Sequence, residues 1–256
     1  MIVTDTHTHL YSEAFNDDRA AMMMRALDAG VSRFFIPAID SSYNSSMFEL
    51  EKDYPKYVFL MMGLHPTSVK PDTYKKELEL VEQQFSTRSF YAVGEIGIDL
   101  YWDTSTLEIQ KEAFKHQILL AKKYNLPIVI HCREAFDEIF EVLETVKDDK
   151  LYGIFHCFTG TIAQAKRAIG FNMKLGVGGV VTFKNGKIDQ FINEIGLEHI
   201  VLETDAPYLA PKPFRGKRNE SSYIIKVLDK LSELYQLPKE TIAEITTKNS
   251  ETIFGI

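Results

Sequence analysis

Eight short runs of the chain are almost continuously apolar: residues 1–10, 32–39, 57–66, 91–99, 127–133, 153–160, 172–181 and 200–209. Most are rich in Val, Ile, Phe or Gly, the composition of strands covered on both faces. Between them apolar residues recur every three to four positions, as on one face of a helix. The clearest case is 106–125, where Leu107, Phe114, Ile118 and Ala121 fall at helical spacing. Segments 134–147, 161–169 and 219–236 follow the same rule, and 238–248 adds a last helix with Pro238 in its first turn. Strand–helix alternation repeated eight times in 256 residues predicts a (β/α)8 barrel, a single domain over 1–256. An open doubly wound sheet is the competing arrangement. It would place a Gly-rich phosphate loop after the first strand, where this chain has THTHL.

Composition narrows the setting. A 45% hydrophobic and 25% charged share is ordinary for a globular chain. No apolar stretch reaches transmembrane length, and the first residues lack the basic start and apolar core of a secretory leader. Cys132 and Cys157 are too few for a disulfide framework. These features predict a cytoplasmic protein with no membrane association, and no obligatory protein partner is readable. A net charge of −7 argues against a chain that coats nucleic acid, yet leaves room for a locally basic cleft.

The chemistry sits at the ends of the apolar runs. His7, His9, Glu95, His131, His156 and Asp205 each fall toward the C-terminal end of a predicted strand, the end where barrel active sites are built. Ionisable groups in such places are paired or bind metal. Four imidazoles and two carboxylates suffice for two divalent ions. His7 and His9 lie two residues apart and so share a side. Glu95 is placed to bridge two cations roughly 3–4 Å apart. His7, His9 and Asp205 complete one site, His131 and His156 the other. The donor set admits Zn2+, Mn2+, Ni2+ or Mg2+. Asp5 and Glu203 share the parity of the ligands and are expected to orient them from behind. The two thiols directly follow His131 and His156, so alternation is expected to turn them away, as packing residues.

Catalysis follows from this set. A divalent ion lowers the pKa of water toward neutrality, and Asp205 is the expected proton acceptor. His65, in GLHP, is expected to bind substrate or stabilise the transition state. Arg133 shares the parity of His131, and Lys212, Arg215, Lys217 and Arg218 follow Asp205 closely. These five cations predict a phosphate-facing rim. Salt-sensitive binding of a DNA strand or chain end follows.

The motifs DTHTHL, GLHP, GEIGID, IHCRE, FHCFTG, GVGGVVTFKN, ETDAPYLAP and RGKRNE occur in this order from end to end. With them the chain resembles the TatD-like metal-dependent deoxyribonucleases of the amidohydrolase superfamily. The resemblance implies divalent-dependent hydrolysis of DNA phosphodiesters, metal binding by the six residues above, and a bridging role for Glu95. Many members carry Cys where this chain has Thr8, Arg where it has Asp103, and Pro where it has Ser221. Some members have been proposed to act on other bonds, such as D-aminoacyl esters on tRNA. A deacylase using the same centre is therefore the alternative. A non-catalytic relic is disfavoured by the intact ligand set.

Overall fold

The computed structural model describes residues 1–256. Eight parallel strands run in chain order: β1 (Val3–Asp5), β2 (Val31–Ile36), β3 (Val58–Leu60), β4 (Val93–Asp99), β5 (Ile128–Arg133), β6 (Gly153–Phe155), β7 (Met173–Val177) and β8 (Ile200–Leu202). β1 to β3 form one ladder and β4 to β8 another. Two seams join them. Met62 bridges Val93 in parallel, and the Tyr91 and Gly94 amides donate to Leu60 and Met62 carbonyls at 2.9 and 3.0 Å. On the other side Thr6 N–H donates to Leu202 O and Asp205 N–H to His7 O, both at 2.9 Å. The ring is closed, and the expected eight-stranded barrel is the fold.

The helices are α1 (Arg19–Asp28), α2 (Asn44–Asp53), α3 (Tyr74–Thr87), α4 (Leu107–Tyr124), α5 (Phe136–Thr145), α6 (Ile162–Gly170), α7 (Ile224–Tyr235) and α8 (Lys239–Phe254). Local chemistry sets their ends. Thr161 and Gln164 cap α6 reciprocally. Asn125, at φ 54°, stops α4 in the left-handed conformation typical after a helix. The eightfold alternation fails once. Between β7 and β8 four short 3₁₀ turns stand where a helix was expected. That segment is broken by Gly186 and Gly196. A Cβ at Gly186 would lie 2.4 Å from Val180 O, so the chain is folded too tightly there for a helix. Ile188, Ile192 and Ile195 still cover the barrel wall. No helix is long and apolar enough to cross a membrane.

Two cores result. The larger fills the layer between strands and helices. The smaller one fills the barrel and includes Phe35, Val129, Ile154 and Val201, with Ile253 and Phe254 from the end of α8. Phe254 stacks on Phe35 at 3.6 Å. Along three strands the interior residue is followed two positions later by a predicted ligand or its support: Val129 then His131, Ile154 then His156, Val201 then Glu203. Period-two alternation therefore carries each strand from an apolar floor to a polar mouth.

The hydrogen-bonded ladders are shorter than the apolar runs. β1 stops at Asp5 and β8 at Leu202, so His7, His9 and Asp205 lie beyond their strands. The chain there flares away from its neighbours and keeps only single bonds, such as His9 N–H to Ala206 O at 2.7 Å. Ligands at a barrel mouth need this splay.

Candidate metal centre

Glu95 stands at the centre and is 2% exposed. The β4–β5 register shifts between Gly94 and Ile96. The Glu95 amide bonds instead to Ala38 O at 3.2 Å. A bulge of this kind re-aims a side chain, and here it brings a carboxylate among the imidazoles. Its two oxygens face different partners. Oε2 lies 3.1 Å from His7 Nε2 and 3.8 Å from His9 Nε2. Oε1 lies 2.7 Å from His131 Nδ1, 2.8 Å from His156 Nε2 and 3.3 Å from His65 Nε2. Asp205 Oδ1 faces the first group, 3.5 Å from His9 and 3.8 Å from His7. Asp205 holds φ 55° and donates its amide to His7 O, which fixes its carboxylate against those rings.

Burial would raise the Glu95 carboxyl, but the facing imidazoles of His156, His65 and His7 outweigh it and hold it well below the usual range. The same contest lowers Asp205, through His9 and His156. Burial would likewise lower His156 and His131; Glu95, helped by Glu203, raises His156, and Asp99, helped by Glu95, raises His131. His7 and His65 are lowered, chiefly by burial.

The donor set fits divalent cations. Both ring nitrogens of His7 and Nδ1 of His156 are buried without a hydrogen-bond partner, a costly state for polar atoms unless something binds them. Donor atoms of His7, His9 and Glu95 lie within 4.8 Å of one another, as do those of His7, His156 and Asp205, and those of His65, Glu95 and His131. Imidazole with carboxylate suits Zn2+, Mn2+ or Ni2+.

The surroundings set tautomers. Tyr11 OH donates to Pro37 O at 3.1 Å, so it accepts from His9 Nδ1–H at 2.9 Å. His9 then presents a bare Nε2 to Glu95 and Asp205. His65 is set the opposite way. Thr67 N–H donates to its Nδ1 at 3.1 Å, so the proton of the neutral ring is on Nε2, facing the centre. His65 thus turns a donor toward the centre, whereas His9 turns a lone pair that could hold a metal. Asp99 Oδ2 holds His131 Nε2 at 2.8 Å. Sequence reading missed Asp99 and Tyr11. Shared parity could have found both: Asp99 follows Glu95 by four residues, and Tyr11 follows His9 by two.

Glu203 and Asp5 divide the expected supporting role. Glu203 Oε1 lies 3.7 Å from His156 Nδ1 and accepts the Cys157 amide at 2.5 Å. A Cβ on Gly176 would stand 2.2 Å from Glu203 Oε2, so only glycine leaves room for that carboxylate. Gly97 works similarly at φ +145°, where a Cβ would lie 2.0 Å from His131 O. Asp5 does not orient a histidine. It accepts from Thr204 N–H, Thr204 Oγ1 and Ser221 Oγ at 2.9, 2.6 and 2.6 Å, tying β1 to the loop after β8. Burial pushes its carboxyl up to about 7.

A cleft of about 620 Å³ opens over this floor, lined by His9, His65, Glu95, His131, His156 and Asp205 among others. Cys132 packs against the outer core as expected and only borders the cleft, whereas Cys157 lines it, contrary to its expected outward placement. For Cys157 alternation stops with the strand: β6 ends at Phe155, and Cys157 has φ 43°. Burial pushes both thiols up, Cys132 to about 12. Of the five expected rim cations only Arg133 lines the cleft. Arg218 instead grips Asp18 at 2.6 and 2.9 Å, pinning its loop to α1. Arg215 lies 3.7 Å over the Phe183 ring. Lys212, Arg215 and Lys217 are exposed outside the cleft. The loop leaves the site sideways, a direction that sequence adjacency to Asp205 does not reveal.

Known proteins resemble this chain over nearly their full lengths. The profile of the family described as TatD related DNase matches residues 4–255. A Bacillus subtilis protein named uncharacterized metal-dependent hydrolase YabD is 37% identical over 98% of this chain and 98% of its own. The Escherichia coli protein YjjV, described likewise, is 32% identical over 98% and 97%. The crystal structure of YjjV, a TatD homologue, superposes with a TM-score of 0.93, covering 99% of this chain and 98% of that one. A TatD family hydrolase from Entamoeba histolytica, at 21% identity and TM-score 0.85, shares the fold. The chain belongs to the TatD-related DNase family and is a metal-dependent hydrolase.

Proposed function

We propose that the chain is a divalent-metal-dependent phosphodiesterase that cuts DNA, with two ions held on either side of Glu95. One observation carries this reading: the two oxygens of a single buried carboxylate face two separate sets of donors. His7, His9 and Asp205 would hold one ion, and His131 and His156 the other. When bound, such ions supply Lewis acidity, acidifying water and neutralising charge on a phosphodiester.

The chain's own groups do the rest. Asp205 accepts the proton of the attacking water. Its side chain is 13% exposed against 2% for Glu95, so it is the carboxylate of this pair that water reaches. Its lowered pKa keeps it ionised at neutral pH. His65 donates from Nε2 to a substrate oxygen, since Thr67 occupies its other nitrogen. Arg133, exposed at the mouth, presents the fork geometry that phosphate oxygens favour. The proposed setting is cytoplasmic, in keeping with two free cysteines.

A metal-dependent deacylase, acting on an ester such as a D-aminoacyl-tRNA, is the second reading. Ile39, Val180 and Leu209 give the cleft an apolar wall that suits an acyl group. The discriminating experiment strips the protein of metal and restores Mg2+, Mn2+, Zn2+ or Ni2+ singly. Each form is assayed on labelled DNA, RNA and acyl esters. Metal-restored cleavage of DNA with inert esters is the expected result. Ester hydrolysis with inert DNA overturns it.

A further inference from the structure

The chain has one tryptophan, and it is left in water: Trp102 is 70% exposed and Tyr101 beside it 50%. Their position is not free. Asp99 divides its carboxylate between the turn and the centre. Oδ1 accepts the Tyr101 and Trp102 amides at 3.0 and 3.3 Å, while Oδ2 holds His131. The aromatic turn is therefore fixed to the same group that positions a ligand of the centre. The two rings meet edge to face at 4.9 Å. The Arg133 guanidinium lies 3.6 Å over Tyr101 and 5.5 Å from Trp102, a contact that steadies both cation and rings.

Trp102 also stands on a boundary. It lines the cleft above Glu95 and, on the other side, a second hollow of about 340 Å³ that contains Lys70 and Thr106. Lys70 is exposed in that hollow, where its charge helps Ser105 to lower the Asp103 carboxyl. The neighbouring Asp103 is occupied, accepting from Ser105 N–H and Oγ at 2.9 and 2.6 Å. A flat π-face, an exposed ammonium beyond it and a guanidinium before it repeat the features of a site that tracks a single strand: base stacking between backbone contacts.

We propose that Trp102 is the stacking platform for the unpaired base next to the bond that is cut, and that the hollow beyond it takes the adjoining nucleotide, with its phosphate on Lys70. The proposal rests on the phosphodiesterase reading and adds a preference to it. A base can lie on Trp102 only when it has left its partner, so single strands and frayed ends bind and duplex interiors do not.

The lone indole reports its own occupancy. Metal-loaded protein is titrated with a hydrolysis-resistant phosphorothioate deoxyoligonucleotide and with an abasic strand of the same length. The strand with bases quenches Trp102 fluorescence; the abasic strand does not. By anisotropy of labelled strands, Trp102→Ala weakens binding of the base-bearing strand about tenfold, Trp102→Phe recovers most of that loss, and Lys70→Gln makes binding less salt-dependent. The abasic strand binds wild type and Trp102→Ala alike. Metal content is unchanged in all three variants, which separates a lost platform from a lost fold. Tight binding without quenching, or with equal affinity in Trp102→Ala, overturns the platform and leaves the phosphodiesterase reading standing. No binding of either strand to the wild type overturns both.

Discussion

Two histidines of the same centre do opposite things because their neighbours differ by one hydrogen bond. Tyr11 takes the Nδ1 proton of His9, and the Thr67 amide gives a proton to Nδ1 of His65. Such outer contacts commonly change metal affinity by about 10- to 100-fold. Asp99→Ala removes the acceptor for His131 Nε2, so it should weaken metal binding by that order without altering the ligand set; competition with a coloured chelator measures it. The thiols give a second expectation. With Cys132 pushed up to about 12, roughly 10⁻⁴ of it is thiolate at pH 8, against about a quarter of an ordinary cysteine. Alkylation by iodoacetamide should be slow at pH 8 and accelerate as pH rises; rapid labelling there would contradict the raised pKa. At this scale the six ligand candidates were legible, because imidazoles and carboxylates inside apolar runs have few other uses. Their partners were less so. Asp5 and Glu203 have the same parity, yet only Glu203 reaches toward a ring, since Thr204 and Ser221 already occupy Asp5.

Each strand is a small gradient, apolar at the floor and ligating at the mouth. Phe35 belongs to the floor, fully buried and stacked on Phe254. Phe35→Ala should therefore cost about 3–5 kcal/mol in denaturant unfolding and leave the metal content of the folded protein unchanged. Strand placement was readable from composition, because strands buried on both faces must be apolar throughout. Strand length was not: the apolar runs continue into the splayed ends, where backbone bonds become single and alternation lapses. That lapse explains why Cys157 lines the cleft. The absent helix before β8 was hidden for another reason. Ile188, Ile192 and Ile195 keep a helix-like apolar spacing, while Gly186 and Gly196 break the path on either side of them.

For the whole molecule, charge limits what the cleft can hold. The net charge is −7, and Arg133 and Lys70 are the cations at the two hollows. Two phosphate contacts on a single strand give a slope of log affinity against log salt of about −1.4. Arg133→Ala should flatten it by about 0.7. Arg218→Ala should leave the slope alone, because that guanidinium is bound to Asp18. Equal flattening by both variants would mean that the loop after β8 reaches the substrate after all. In the proposed centre Glu95 serves two ions at once. The most direct test is elemental analysis of metal bound per chain after equilibrium dialysis, for the wild type and for Glu95→Ala. Two ions per chain in the wild type, falling below one in the variant together with activity, is the predicted result. A single ion in the wild type, or two ions and normal turnover in Glu95→Ala, would contradict it.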